Sequence, residues 1–239
     1  MKPVDITIVI PVFNERENLE ILMEEVTCAM KSVEKTYEIV CVNDCSTDGS
    51  LDVLKKLKAK DNRIRIISFK RNHGLTSALD AGFKSAGGDI VAMLDADLQN
   101  DPADLPAMFE QIKRFDVVCG WRKKRRDTFV KKISSKIANA VRRAFTGDKY
   151  HDIACGIKVF RRRCVSDMTM YNGLHRFFPI LMELDGYTVT EIVVNHRNRY
   201  KGTSKYAIGN RLFRSLYDLI AVKWMINRRL TYKEDSNEL

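Results

Sequence analysis

Short β-branched runs alternate with longer segments of helical periodicity along the first half of the chain. Ile6 to Val12, Glu38 to Val42, Ile64 to Phe69, Ile90 to Leu94 and Val117 to Cys119 have the length and composition of strands. Between them, residues 17–33, 51–60, 75–86 and 103–113 repeat their apolar positions with the period of a helix. This order predicts an α/β unit, a mostly parallel sheet flanked by helices. Ligands of such sheets bind outside the carboxyl ends of the strands, so the chemistry is to be sought just after each run.

The pattern changes near residue 121. Residues 121–143 hold ten basic side chains and one acidic one, a further strand is expected near Gly156 to Phe160, and residues 195–214 are basic and free of acids. Residues 132–146 place Ile133, Ile137, Ala140, Val141 and Ala144 on one helical face, bordered by Lys132, Lys136, Arg142 and Arg143. Ile208 to Leu230 repeats the design, with Leu212, Leu216, Leu219, Ile220 and Trp224 on the apolar side and Arg211, Arg214, Lys223, Arg228 and Arg229 available to headgroups. Helices of that composition lie in membrane interfaces. Packing against the sheet gives the same periodicity, and for the first helix both readings stand. For the second, a membrane or a membrane partner subunit is the expected neighbour.

Composition narrows the picture. With 239 residues, 45% of them hydrophobic, one large domain is expected. The net charge of +10 points to an anionic partner, whether nucleic acid, anionic lipid or a phosphorylated substrate. Six cysteines without a CxxC pair or zinc spacing read as reduced core residues of a cytosolic protein. Asp5 and Pro11 interrupt the start too early for a signal peptide, and no apolar run reaches the ~20 residues that span a bilayer.

The segments after the strands carry the candidate chemistry. Pro11-Val12-Phe13-Asn14-Glu15 lacks the glycines that let a backbone approach a dinucleotide pyrophosphate, which argues against a nicotinamide or flavin enzyme. Asn43-Asp44-Cys45-Ser46-Thr47-Asp48-Gly49-Ser50 offers a carboxylate to a base or ribose, although Asp48 or Ser46 would equally serve as a helix cap. Leu94-Asp95-Ala96-Asp97-Leu98-Gln99-Asn100-Asp101-Pro102 sets two carboxylates two residues apart at a strand end. Such hard oxygen ligands suit Mg2+ or Mn2+ whose remaining positions are filled by phosphate and water. A turn in which Asp101 caps the next helix is the alternative.

PVFNE, NDCSTDGS and LDADLQNDP, in this order, resemble the family 2 glycosyltransferases of the GT-A fold. Among them the chain is similar to dolichol-phosphate mannose synthases and bacterial undecaprenyl-phosphate glycosyltransferases. Arg71-Asn72-His73-Gly74, Gly120-Trp121-Arg122 and Arg199-Tyr200-Lys201-Gly202-Thr203-Ser204-Lys205-Tyr206 extend the resemblance over residues 5–220. It implies a Rossmann-like GT-A sheet in which Pro11, Glu15 and Asp44 line the nucleotide. Asp95 and Asp97 would hold the donor diphosphate through the metal, with Gln99 beside them. Arg122 would contact phosphate, and Arg199 and Lys205 the acceptor or donor phosphates. Asn43 and Cys45 depart from the family pattern, and the bacterial relatives commonly continue into transmembrane helices.

A phosphate monoester with a second pKa near ~6 is already largely ionised at neutral pH, so such an acceptor needs cations more than a general base. Arg126, Lys131, Lys132, Arg199 and Lys205 are the candidate anion holders, a solvated basic face being the plainer reading of the same run. Asp152 is a candidate base or orienting group; His73, His175 and His196 are expected to be structural.

The expected organisation is a catalytic domain over residues 1–206, an amphipathic membrane-interface helix over 207–230 and a polar tail over 231–239. The expected reaction is inverting transfer of a sugar from a UDP- or GDP-linked donor to polyprenyl phosphate, by a cytoplasmic protein attached peripherally to the membrane. A saccharide or glycan acceptor in cell-envelope polysaccharide synthesis is the alternative. A nucleic-acid binder would need aromatic-interleaved or helix-turn-helix patterns that the sequence lacks.

Overall fold

The computed structural model describes residues 4–123, 139–198 and 208–230, the side chains of 208–214 excepted. Seven strands form one sheet: β1 (Ile6–Val12), β2 (Tyr37–Asn43), β3 (Ile64–Ser68), β4 (Ile90–Met93), β5 (Val117–Trp121), β6 (Lys158–Arg161) and β7 (Val189–Val193). Their order is β3-β2-β1-β4-β6-β5-β7. All pairings are parallel except those of β6, which runs against both β4 and β5. Six carboxyl ends and the start of β6 therefore meet at one edge. The first six strands fall where the β-branched runs predict them; β7 is an additional strand.

Helices α1 (Leu19–Met30), α2 (Ser50–Lys60), α3 (Leu75–Lys84), α4 (Leu105–Gln111), α5 (residues 139–146), α6 (Phe178–Leu184) and α7 (Ile208–Arg228) cover the sheet. One face packs under α1 and α4, where Ile8, Ile10, Leu22, Val26, Met108 and Val159 are buried. The other packs under α3 and α6, around an edge-to-face cluster of Phe83, Phe160 and Phe178. Burial of this extent on both faces is why the central strands read as continuous apolar runs rather than alternating ones.

α7 lies over a third cluster, built from Tyr150, Leu174, Phe177 and Leu181. Leu219 and Val222 enter it, with Met225 and Ile226 partly buried, while Leu216, Tyr217, Ile220 and Trp224 remain exposed. The apolar side expected for this helix is thus divided between the protein body and the outside. In α5, Val141 and Phe145 are exposed, and Arg142 is buried in an ion pair with Asp148. Arg142 therefore does not border an outward apolar face for headgroups. Residues 132–138, with Lys132, Ile133, Lys136 and Ile137, lie outside the described residues.

Candidate active site

The site is organised by the way β1 and β4 separate. Their register ends at Val9↔Met93, and the last bond between them is from Leu94 N to Val9 O. Two residues on, Pro11 faces the same side. Its missing N–H costs nothing there, because β4 has already left the ladder. The crevice opened is the switch point of the sheet, where β2 lies to one side of β1 and β4 to the other.

Beyond β4 the chain keeps a two-residue alternation without a partner strand. Leu94, Ala96 and Leu98 are buried in the core, and Asp95, Asp97 and Gln99 between them are half-buried at the crevice. Asp97 Oδ1 accepts a hydrogen bond from Gln99 N at 3.1 Å. Asp101 does cap the following 3₁₀ turn, accepting from Ala103 N at 3.0 Å, and this leaves Asp95 and Asp97 outside the capping role. Leu98 has a φ of 59°, and the only other described non-glycine residues with positive φ are Asn14 and Cys45, in the loops after β1 and β2. Strained backbone concentrates in this way where surroundings over-determine a functional geometry.

The loops after β1 and β2 are tied to each other. Asn14 N donates to Ser46 Oγ, Glu15 N to Ser50 Oγ, Arg16 N to Asp48 Oδ2 and Thr47 N to Asn14 Oδ1. Asp48 also accepts from Ser50 N at the first residue of α2, although the N-cap position itself is Gly49. Burial raises its carboxyl pKa, but the bonds from Ser50 and Arg16 outweigh that and leave it below the usual range. Asn43 bonds Ser68 and Ser46, a scaffold role. Asp44 is buried at the carboxyl end of β2, and its two oxygens accept from the backbone N–H groups of His73 and Gly74 at 2.7 and 2.8 Å. Asp44 thereby fixes the Arg71-Asn72-His73-Gly74 loop.

On the other side of the crevice, Arg122 follows β5 and meets Asp152. Its Nε and Nη2 donate to the two carboxylate oxygens at 2.6 and 2.9 Å. The pair is nearly enclosed, with side chains 12% and 7% exposed. Burial opposes the charge on Arg122, yet the bonds and charge of Asp152, with a contribution from Asp95, hold the guanidinium above its ordinary pKa. Glu191 of β7 supports this turn by accepting from the backbone of His151 and Asp152, and the His151 ring stacks on Trp121 at 4.0 Å. Gly156, two residues ahead of β6, closes the site, since a Cβ there would stand 1.8 Å from Asp95 Oδ2.

The structure thus gathers Pro11, Glu15, Asp44, Asp95, Asp97, Gln99, Arg122 and Asp152 at one edge of the sheet. Arg126, Lys131, Lys132, Arg199 and Lys205 lie outside the described residues. No group of three His, Cys, Asp or Glu able to cage a metal occurs among the described residues. Two hard carboxylates set against a glycine cradle nevertheless fit a divalent cation that takes its other ligands from phosphate and water. Gly156 and Glu191 were not evident as site residues in the sequence, because their roles depend on contacts between distant segments.

The glycosyl transferase family 2 model matches residues 7–169. The chain belongs to that family. It is 35% identical over 232 residues to the dodecaprenyl-phosphate galacturonate synthase of Rhizobium johnstonii, covering 95% of this chain and 68% of the relative. It is 37% identical over 217 residues to the undecaprenyl-phosphate 4-deoxy-4-formamido-L-arabinose transferase of Yersinia pestis, covering 90% and 66%. The chain therefore spans about two thirds of the length of these relatives.

Among solved structures, a mannosyltransferase from Pyrobaculum calidifontis in complex with GDP-Man and Mn2+ has a TM-score of 0.68 at 16% identity, covering 98% of this chain and 67% of that one. Glucosyl-3-phosphoglycerate synthase from Mycobacterium tuberculosis in complex with Mn2+, UDP and glucosyl-3-phosphoglycerate has a TM-score of 0.66 at 17% identity, covering 93% and 80%. These two share the GT-A fold with the family 2 chain described here.

Proposed function

We propose that this family 2 glycosyltransferase moves a sugar, with inversion, from a UDP- or GDP-linked donor to the phosphate of a polyprenyl phosphate at the cytoplasmic membrane face. The observation that carries the reading is the convergence of Asp95, Asp97 and Gln99 with the buried Arg122–Asp152 pair at one sheet edge. It is supported by similarity over nine tenths or more of the chain to two relatives named for polyprenyl-phosphate transfer.

Pro11, Glu15 and Asp44 line the nucleotide end, and Asp95 and Asp97 hold Mg2+ or Mn2+ there. The cation supplies positive charge to the departing diphosphate. Arg122 adds a fixed positive charge on the far side of the crevice, and Asp152 positions it. An already ionised acceptor phosphate leaves no proton to remove, so commitment of Asp152 to Arg122 is compatible with turnover. Arg126, Lys132, Arg199 and Lys205 are proposed to hold the acceptor phosphate.

Catalysis is assigned to residues 1–206 and membrane contact to the helix within 207–230, ahead of a polar tail. Leu216, Tyr217, Ile220 and Trp224 form the outward stripe that would enter the interface, and no described helix is long and apolar enough to cross a membrane. A membrane partner subunit would use the same stripe. The direct test of the site is Asp95→Asn and Asp97→Asn, each expected to lower transfer by about 10² or more with the fold intact. Full activity in either variant would remove the metal assignment.

A further inference from the structure

The turn bearing Asp95, Asp97 and Gln99 is held on two sides. On the inner side Leu98 fills the core while its backbone takes the left-handed conformation, which leucine adopts only under constraint. On the outer side the turn is gripped by the strip Asn195 to Asn198, which leaves β7. Asn100 and His196 form an isolated antiparallel bridge, and Arg197 N donates to Gln99 O at 2.9 Å. Asn195 donates from N and Nδ2 to the two oxygens of Asp104 at 2.8 and 3.0 Å.

Arg197 then adds its side chain. Nη1 donates to both oxygens of Glu25 on α1 at 2.7 and 2.8 Å, and Nη2 lies 2.7 Å from Asp101 Oδ2. One guanidinium thus ties α1, the end of the carboxylate turn and the strip after β7 into one unit. The planar fork of arginine reaches both carboxylates at once, which the single point charge of lysine does not. α1 itself stays docked through buried Leu19, Leu22, Val26 and Met30, so loss of the clamp would loosen the turn and not the helix.

We propose that Arg197 is a positioning residue for the divalent-cation site, its guanidinium fixing the turn so that Asp95 and Asp97 face the crevice together. The inference rests on the metal-dependent reading above. Strain at Leu98 gives the guanidinium its role: without it the turn keeps only its bonds to the strip after β7 and can relax toward ordinary backbone, which moves the two carboxylates apart.

The test is Mn2+ binding with UDP or GDP present, followed by the loss of the free-ion electron paramagnetic resonance signal, beside thermal unfolding in EDTA. Arg197→Ala is expected to weaken Mn2+ binding about tenfold, with Arg197→Lys intermediate and the unfolding midpoint in EDTA lowered by only about 2–4 °C. Wild-type binding with an unchanged Arg197→Ala variant, or weakening that merely tracks its unfolded fraction, overturns this proposal alone. A wild-type protein that binds no Mn2+ overturns the metal-dependent reading and the clamp with it. If Arg197→Ala does not fold, Glu25→Gln removes one arm: weaker Mn2+ binding supports the clamp, and unchanged binding overturns it.

Discussion

Gly156 lies so close to Asp95 that a Cβ at residue 156 would come within 1.8 Å of the Asp95 carboxylate. The contact joins the start of β6 to the turn after β4, two segments that the antiparallel pairing of Met93 with Lys158 brings together. Gly156→Ala must therefore displace Asp95. A shift of that size is expected to lower transfer by about 10² while the protein remains folded. Circular dichroism beside a transfer assay checks both halves, and near-normal activity would show that the placement of Asp95 is not critical.

The Arg122–Asp152 pair makes a prediction about stability as well as activity. Removing one partner leaves the other charge buried, so Asp152→Ala should destabilise the protein by about 3–5 kcal/mol in urea unfolding. Replacing both, as Arg122→Met with Asp152→Leu, should restore much of the stability but none of the activity. Recovery of activity along with stability would mean that the pair is scaffold only.

His175 gives the protein a pH dependence of known sign. Its Nδ1 lies 2.7 Å from Thr76 Oγ1, and burial, followed by the charges of Arg176 and Lys158, pushes its pKa from 6.5 down to about 3. The unfolded chain takes up this proton near 6.5 and the folded chain does not until about 3. The stability contributed by neutral His175 is therefore full above pH 6.5 and is lost progressively as the pH falls toward 3. His175→Gln should flatten the decline in unfolding midpoint between pH 6.5 and 4.5, and an unchanged slope would assign the decline to other groups.

The outward stripe of α7 predicts a separable membrane phenotype. Trp224 and Ile220 are 64% and 52% exposed, whereas Leu219 and Val222 are buried. Ile220→Ser with Trp224→Ser should reduce cosedimentation with anionic vesicles several-fold and leave the unfolding midpoint unchanged. Unaltered cosedimentation would move the membrane contact to another surface.

Much of the sheet was legible because fully buried strands leave unmistakable β-branched runs, and the two-residue spacing of Asp95 and Asp97 after such a run marked them as candidates. β7 was not, since Val189 to Val193 is only half-buried and lacks that apolar continuity. Direction was hidden too: the run preceding Arg161 does not say that β6 is antiparallel. Asp152 was visible as a candidate, but its commitment to Arg122 is a contact between segments that only the fold brings together. For Arg197 the basic composition of residues 195–214 gave no sign that its side chain is tied to two acids, Glu25 and Asp101. The outward face of α5 could not be read either, because Arg142 is drawn inward by Asp148 and Tyr150 O.

Transfer of labelled sugar from a panel of UDP- and GDP-sugars to detergent-dispersed polyprenyl phosphate, with Mn2+, with Mg2+ and with EDTA, tests the reaction itself. Label is expected in the lipid phase from one donor and is abolished by EDTA. Nucleotide binding without lipid labelling across the panel, or label passing only to a saccharide acceptor, would contradict this reaction.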